Sequence, residues 1–151
     1  MSEEIDKVDK IKKHSIFSFV FLTMITLGLY YYYWLFSNYS KLNDLVPDSR
    51  NKIGLGMLVT LFILWLLSLI CVFSMPQNVH SSYFNSIYDA LRTLSYLFST
   101  IISLKSLRLV ELYAKEKYNI NLQYSIVLCV IFGLLYVVFS LKNYKEDIQL
   151  N

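Results

Sequence analysis

Histidine, cysteine, proline and glycine are all scarce in this chain: 151 residues hold two histidines, two cysteines, two prolines and four glycines. Each scarcity removes something. His14 and His80 stand alone, so there is no His-Glu-x-x-His and no Cys/His spacing that suggests zinc. Cys71 and Cys129 lie inside hydrophobic runs at depths expected to differ by more than a disulfide can bridge, and both read as packing residues. No glycine-rich phosphate loop, Gly-x-Ser-x-Gly or Cys-x-x-Cys is present. The polar residues that a membrane enzyme would gather at one interface are Asp44, Asp48, Arg50, Arg108 and Glu111, and a solvated charged loop accounts for them. We therefore expect no enzymatic activity, no cofactor and no metal. An excess of one charge is missing too. Lysine and arginine total 14 against 11 acids, a net charge of +3, and no basic stripe argues for nucleic acid.

What is present is apolar. Hydrophobic residues make up 56% of the chain and charged residues only 17%, which would leave a soluble protein of this size short of polar surface. Three uncharged runs, Ile16–Phe36, Ile53–Phe73 and Leu122–Leu141, each reach the roughly 20 residues needed to cross a bilayer. The expected fold is all-α: a polytopic helical membrane protein with three to four hydrophobic segments. One embedded domain over 15–143 would lie between a charged tail, 1–14, and a polar tail, 144–151. The run at Ile16 is too long for a signal-peptide core and lacks a small-residue cleavage site, so it is expected to stay in the mature chain.

Along the chain, Ser2–Lys13 reads either as a short surface helix or as a solvated tail. Ile16–Phe36 has two readings. It is one crossing helix with Tyr30–Trp34 as its aromatic belt, or a re-entrant hairpin that enters to about Leu27, breaks at Gly28 and returns over Leu29–Leu45. A polar loop follows, with Pro47-Asp48-Ser49 as a turn and Asn51 as a cap for the next helix. Ile53–Phe73 is the clearest span, and Pro76 ends it. Tyr83–Tyr118 reads as one long helix, apolar to Leu104 and amphipathic beyond. Leu122–Leu141, with Gly133 near its middle, reads as the last span.

Charge distinguishes the two readings of the first run. If it crosses, lysines and arginines divide evenly between the two sides. If it is a hairpin, eleven (Lys7, Lys10, Lys12, Lys13, Lys41, Arg50, Lys52, Lys105, Arg108, Lys115, Lys117) face Lys142 and Lys145 alone. Cytoplasmic loops carry the excess of Lys and Arg. The hairpin is favoured, with a cytoplasmic N-terminus and the C-terminus outside.

Asp89 and Arg92 are the ionisable residues within an apolar stretch. They sit three apart, where they can pair on one helix face. They read as a structural pair that closes the bundle or snorkels to the near interface, or as an ion or proton site, because a central charge costs about 2.5–3.5 kcal/mol to insert. Ser95, Ser99 and Ser103 recur every fourth residue, a small-residue stripe that lets helices approach closely in lipid.

Lys12 and Lys13, then Thr26-Leu27-Gly28-Leu29-Tyr30, Trp34 and Leu42-Asn43, resemble the head of a prokaryotic membrane family catalogued as domain of unknown function 4234. Leu29 stands where isoleucine is commoner in that family. The ending Ile148-Gln149-Leu150-Asn151 is similar to the family's tail, so the resemblance runs from about Ile11 to Asn151. It implies a class and carries no activity. The expected function is a non-enzymatic interaction or structural module of a bacterial inner membrane, with membrane lipid and itself or another membrane protein as partners. The alternative is a small transporter or channel subunit using Asp89 and Arg92. Thr26, Gly28, Tyr30, Trp34, Asn43 and the serine stripe are the other candidate residues.

Overall fold

The structure is a computed structural model. It describes residues 11, 15–74 and 82–150, with backbone alone for 82–84 and 144–150. The expectations for Ser2–Lys13 (Ile11 apart), for His14, for the connection holding Pro76 and His80 and for Asn151 lie outside the described residues. Those residues form six helices and no strand: α1 Ile16–Ile25, α2 Leu29–Asn43, α3 Leu55–Ser74, α4 Ser82–Tyr118, α5 Ile126–Phe132 and α6 Leu134–Leu150. The all-α expectation holds.

The first apolar run is broken in its middle. Ser15 starts α1, its hydroxyl accepting the Ser18 N–H at 3.1 Å. After Ile25 the chain turns left-handed at two consecutive residues, Leu27 (φ 51°) and Gly28 (φ 94°). The Gly28 N–H reaches back to the Thr23 carbonyl (2.8 Å) and the Leu27 N–H to Met24 (3.2 Å). This is the bond pair that closes a helix through a left-handed residue. Thr26 joins the two helices: its hydroxyl donates to the Leu22 carbonyl at 2.7 Å and accepts the Tyr30 N–H at 2.9 Å. One side chain thus closes α1 and caps α2. The chain then doubles back, so that Phe19 meets Tyr30 and Trp34 edge-on, with ring centroids 5.7 and 6.0 Å apart.

The loop between α2 and α3 is closed by Asn43. Its amide donates to the Ile53 carbonyl at 2.9 Å and accepts the Ile53 N–H at 2.8 Å. The expected turn at 47–49 is present, with the Ser49 N–H on the Val46 carbonyl. Asn51 does not cap the next helix. α3 starts at Leu55, and the Asn51 N–H is itself held by the Ser49 hydroxyl. α3 follows the expected span closely, and of the described helices it is the one long and apolar enough to cross a membrane. α4 is a single helix of 37 residues, about 55 Å at 1.5 Å per residue, and it packs along α3.

The last expected span is not one helix. Ser125 caps α5 by accepting the Leu128 N–H. α5 ends after seven residues at Gly133, where φ is +51°. α6 then turns back, and the Tyr136 hydroxyl accepts the Ser125 N–H at 3.1 Å. The cause is the same as in the first run: a glycine takes a backbone conformation that side chains resist. α6 packs along α4, so the end of the last run lies beside its start, not opposite it. That corrects the reading of Leu122–Leu141 as a single crossing. It also removes the basis for a C-terminus on the far side.

Both hairpins open toward the same end of the α3–α4 pair. That end is marked by Lys105 Nζ on the Lys52 carbonyl (3.1 Å) and by the Glu111 carboxylate accepting the Tyr124 N–H (3.2 Å). Their tips stop halfway along α3.

Gly28 is the most constrained glycine. A Cβ there would sit 3.2 Å from Trp65 Nε1 on a positive-φ backbone, whereas one at Gly56 would meet nothing within 4 Å. Gly28→Val should destabilise the fold by about 2–4 kcal/mol through strain and crowding. Gly56→Ala, in a helix, should be neutral or stabilise by up to about 1 kcal/mol. Denaturant titration followed by helical circular dichroism measures both.

Candidate functional site at the hairpin tips

The two tips converge on the middle of the α3–α4 pair. Gly28 lies against the Trp65 indole. Trp65 continues an aromatic cluster with Tyr32 (5.0 Å) and Phe62 (5.7 Å). One turn on from the first tip, the Tyr31 hydroxyl bonds the Ser99 hydroxyl of α4. Gly133, at the second tip, faces the same serine: a Cβ there would be 3.8 Å from Ser99 Oγ and 3.9 Å from Ser103 Oγ. The Tyr96 hydroxyl donates to the Val130 carbonyl near the end of α5. A cavity of about 300 Å³ remains between the tips, lined by Phe19, Thr23, Tyr31, Tyr96, Ser99 and Gly133 among others.

The serine stripe explains why a helix can meet two tips at one level. Ser103 is fully buried, and its hydroxyl returns to the Ser99 carbonyl. Ser95 likewise bonds the Leu91 carbonyl. With their hydroxyls satisfied on their own helix, these side chains act as small spacers. Ser103 does so at Gly133, beside Ser99, whose hydroxyl is taken up by Tyr31 instead. Ser95 faces a different cleft, shared with Trp65, Ser68, Tyr88 and Arg92.

Of the residues singled out by sequence, Thr26, Gly28, Tyr30, Ser99 and Ser103 lie in or beside this convergence. Trp34, 1% exposed, anchors the hairpin one turn lower. Asn43 lies apart, at the open end. Asp89 and Arg92 are apart as well. Both are exposed, they line an open groove with Thr93 and Tyr96, and they form no ion pair with each other. Sequence reasoning passed over Tyr31, Trp65 and Gly133. A signal for two of them was available. Gly28-Leu29-Tyr30-Tyr31…Asn38-Tyr39 and Gly133-Leu134-Leu135-Tyr136…Asn143-Tyr144 carry glycine, leucine, tyrosine, asparagine and tyrosine at identical spacing.

The second polar feature is a cavity of about 530 Å³ at the open end, lined by Asn51, Lys105, Arg108, Glu111, Gln123 and Tyr124 over Leu104, Leu107 and Leu122. Glu111 there is fully engaged: one oxygen takes Arg108 Nη1 at 2.8 Å and the other the Tyr124 N–H. Cys71 and Cys129 are both free thiols. Among the described residues no group of three His, Cys, Asp or Glu could hold a metal ion. Hydroxyls, glycines and rings at the tips supply close packing, with no nucleophile–base pair among them.

These features define an all-helical protein in which two glycine-broken hairpins pack on a central helix pair. Residues 14–81 match the family described as "Domain of unknown function (DUF4234)". That stretch holds the first hairpin, the Asn43 loop and α3, and it bears out the resemblance carried by Thr26–Tyr30, Trp34 and Leu42-Asn43. α4, α5 and α6 lie beyond it. No curated protein and no solved structure matches the chain.

Asn43→Ala removes both bonds to Ile53 and leaves a half-buried N–H and carbonyl without them, which should cost about 2–3 kcal/mol. Asn43→Asp keeps the acceptor for the Ile53 N–H but sets an acceptor-only oxygen against the Ile53 carbonyl, so it should destabilise by a similar amount. Comparing unfolding midpoints of the two variants checks this.

Proposed function

We propose that this protein is an integral membrane protein of a prokaryotic inner membrane. Its role is structural: a packed helical module that binds lipid and another membrane protein chain and does no chemistry. The observation that carries the membrane reading is the surface. Among the described residues more large apolar side chains are exposed than are buried, including Phe17, Met24, Leu27, Phe73, Ile126 and Phe132. A soluble monomer rarely leaves such contiguous apolar area uncovered. Placement in a prokaryote rests on the family resemblance.

The two hairpins fit that setting. Broken backbone is tolerated in a bilayer only where protein covers it, and Trp65 and the serine stripe cover both tips. α1, at ten residues, is about 15 Å long, half the thickness of the hydrocarbon core. It can enter and return but not cross.

The distribution of charge supports one orientation. Among the described residues every lysine and arginine except Arg92 lies at the open end of the hairpins: on the last turn of α2, the loop before α3, the second half of α4, or α6. With the last run folded back, Lys142 joins the others. The positive-inside rule then puts this whole end, and both chain termini, in the cytoplasm. The transporter alternative draws less support, because Asp89 and Arg92 form neither a pair nor an enclosed site.

Impermeant maleimide labelling tests the topology. In a chain with Cys71 and Cys129 replaced by alanine, Arg50→Cys and Lys142→Cys should both label only after the cells are permeabilised. Labelling of Lys142→Cys from outside intact cells would restore the three-crossing arrangement and refute this one.

A further inference from the structure

Among the described residues, the half of the molecule beyond the hairpin tips holds α3 from about Leu66 and α4 up to about Ser95. Arg92 belongs to this half, since it shares a cleft with Trp65, Ser68, Leu69 and Val72 on α3. Asp89 lies about one turn farther from the tips. Both are exposed, among large exposed apolar residues (Leu66, Leu67, Ile70, Val72, Ile87 and Leu94), with the polar Asn85 and Ser86 exposed toward the start of α4 and Thr93 beside them. In a bilayer this leaves an acid and a base, with no ion pair between them, on a surface whose large side chains are mostly apolar. Such charges face a bundle interior, a partner or water.

We propose that this face of α4 is the interface with a second copy of the same chain, closed by two reciprocal ion pairs, Asp89 of each copy to Arg92 of the other. The occupant follows from the face itself. It carries one acid and one base, so it is complementary to itself under a two-fold axis, where residue i meets j and j meets i. Copies inserted in the same orientation hold both residues at matching depths. Three residues separate them, a rise of about 4.5 Å that an arginine side chain spans. Beside the charges lie two small exposed residues, Ala90 and Thr93, the latter with its hydroxyl on the Asp89 carbonyl. Small residues let two α4 helices come close, as membrane helix pairs require. The groove of about 410 Å³ formed by Asp89, Arg92, Thr93 and Tyr96 is the space the partner's arginine fills.

This proposal rests on the membrane reading, and the two can fail separately. If the membrane reading is wrong, the protein washes off vesicles in alkaline carbonate. If only the dimer is wrong, it stays in them as a monomer. The test mixes two chains of opposite charge, labelled at the amino terminus as energy-transfer donor and acceptor in phosphatidylcholine vesicles. D89R carries two cations and R92D two anions, so neither can form an ion pair within its own chain. Each alone should associate at least about tenfold more weakly than the parent, a loss of one fully desolvated pair or more, while the mixture recovers transfer. Helical circular dichroism checks that each chain is folded. Should either fail to fold, D89N and R92Q replace them, each alone weakening association. Parent-like association of D89R or R92D alone, a monomeric parent, or no transfer from two folded chains in the mixture would overturn the proposal.

Discussion

A backbone that reverses direction among apolar side chains must bond its own polar groups, because neither lipid nor a hydrophobic core will do so. The turn from Thr26 to Gly28 meets that requirement with almost no side chains. Two left-handed residues let the N–H groups of Leu27 and Gly28 reach the last carbonyls of α1, and the Thr26 hydroxyl serves both helices. The arrangement carries a cost, since a leucine in the left-handed region gives up about 1–2 kcal/mol. It also demands a flat neighbour. Trp65 is that neighbour, seated where a side chain on Gly28 would otherwise be. The position of α3 and the aromatic cluster of Tyr32, Phe62 and Trp65 follow from it.

The second hairpin answers the same requirement differently. Gly133 turns alone, without a threonine bridge, and α5 is shorter than α1. Here α4 supplies the close approach with serines, and Tyr136 reaches back to the start of α5. Two solutions thus converge on Ser99, which touches the tyrosine that follows one glycine and lies under the other glycine. The open end is held by polar bonds of another kind, Asn43 to Ile53, Lys105 to Lys52 and Glu111 to Tyr124. They fix the loops at that end.

Much of this was readable in the residues. The break at Gly28 followed from a glycine within an otherwise uniform apolar run together with the distribution of lysine and arginine, and the extent of α4 followed from the absence of proline and glycine. Gly133 offered the same local cue as Gly28 and was read as part of a span. The difference is that a straight Leu122–Leu141 strands only Lys142 and Lys145 on the far side, too few to upset the charge count, and hydropathy is blind to the sign of φ. Trp65 and Tyr31 were not legible for another reason. An indole in an apolar helix and one tyrosine among four look alike in sequence, and only the approach of a distant segment separates them. Asn51 was assigned a cap because asparagine favours that position; tertiary contacts from Asn43 took over the loop, and the helix began three residues further on.

The two hairpins also differ in when their supports exist. The chain is made from its N-terminus, and early segments must persist until later ones arrive. The first hairpin is complete at Asn43, but Trp65 and Ser99, which cover its tip, are synthesised later. Until then the strained turn at Leu27 is held by its own hydrogen bonds, and Thr26 is the side chain that reinforces them. The second hairpin emerges after α3 and α4 are finished and docks onto a platform already built. A threonine bridge in one turn and its absence from the other matches that order: the hairpin that must wait carries its own fastening.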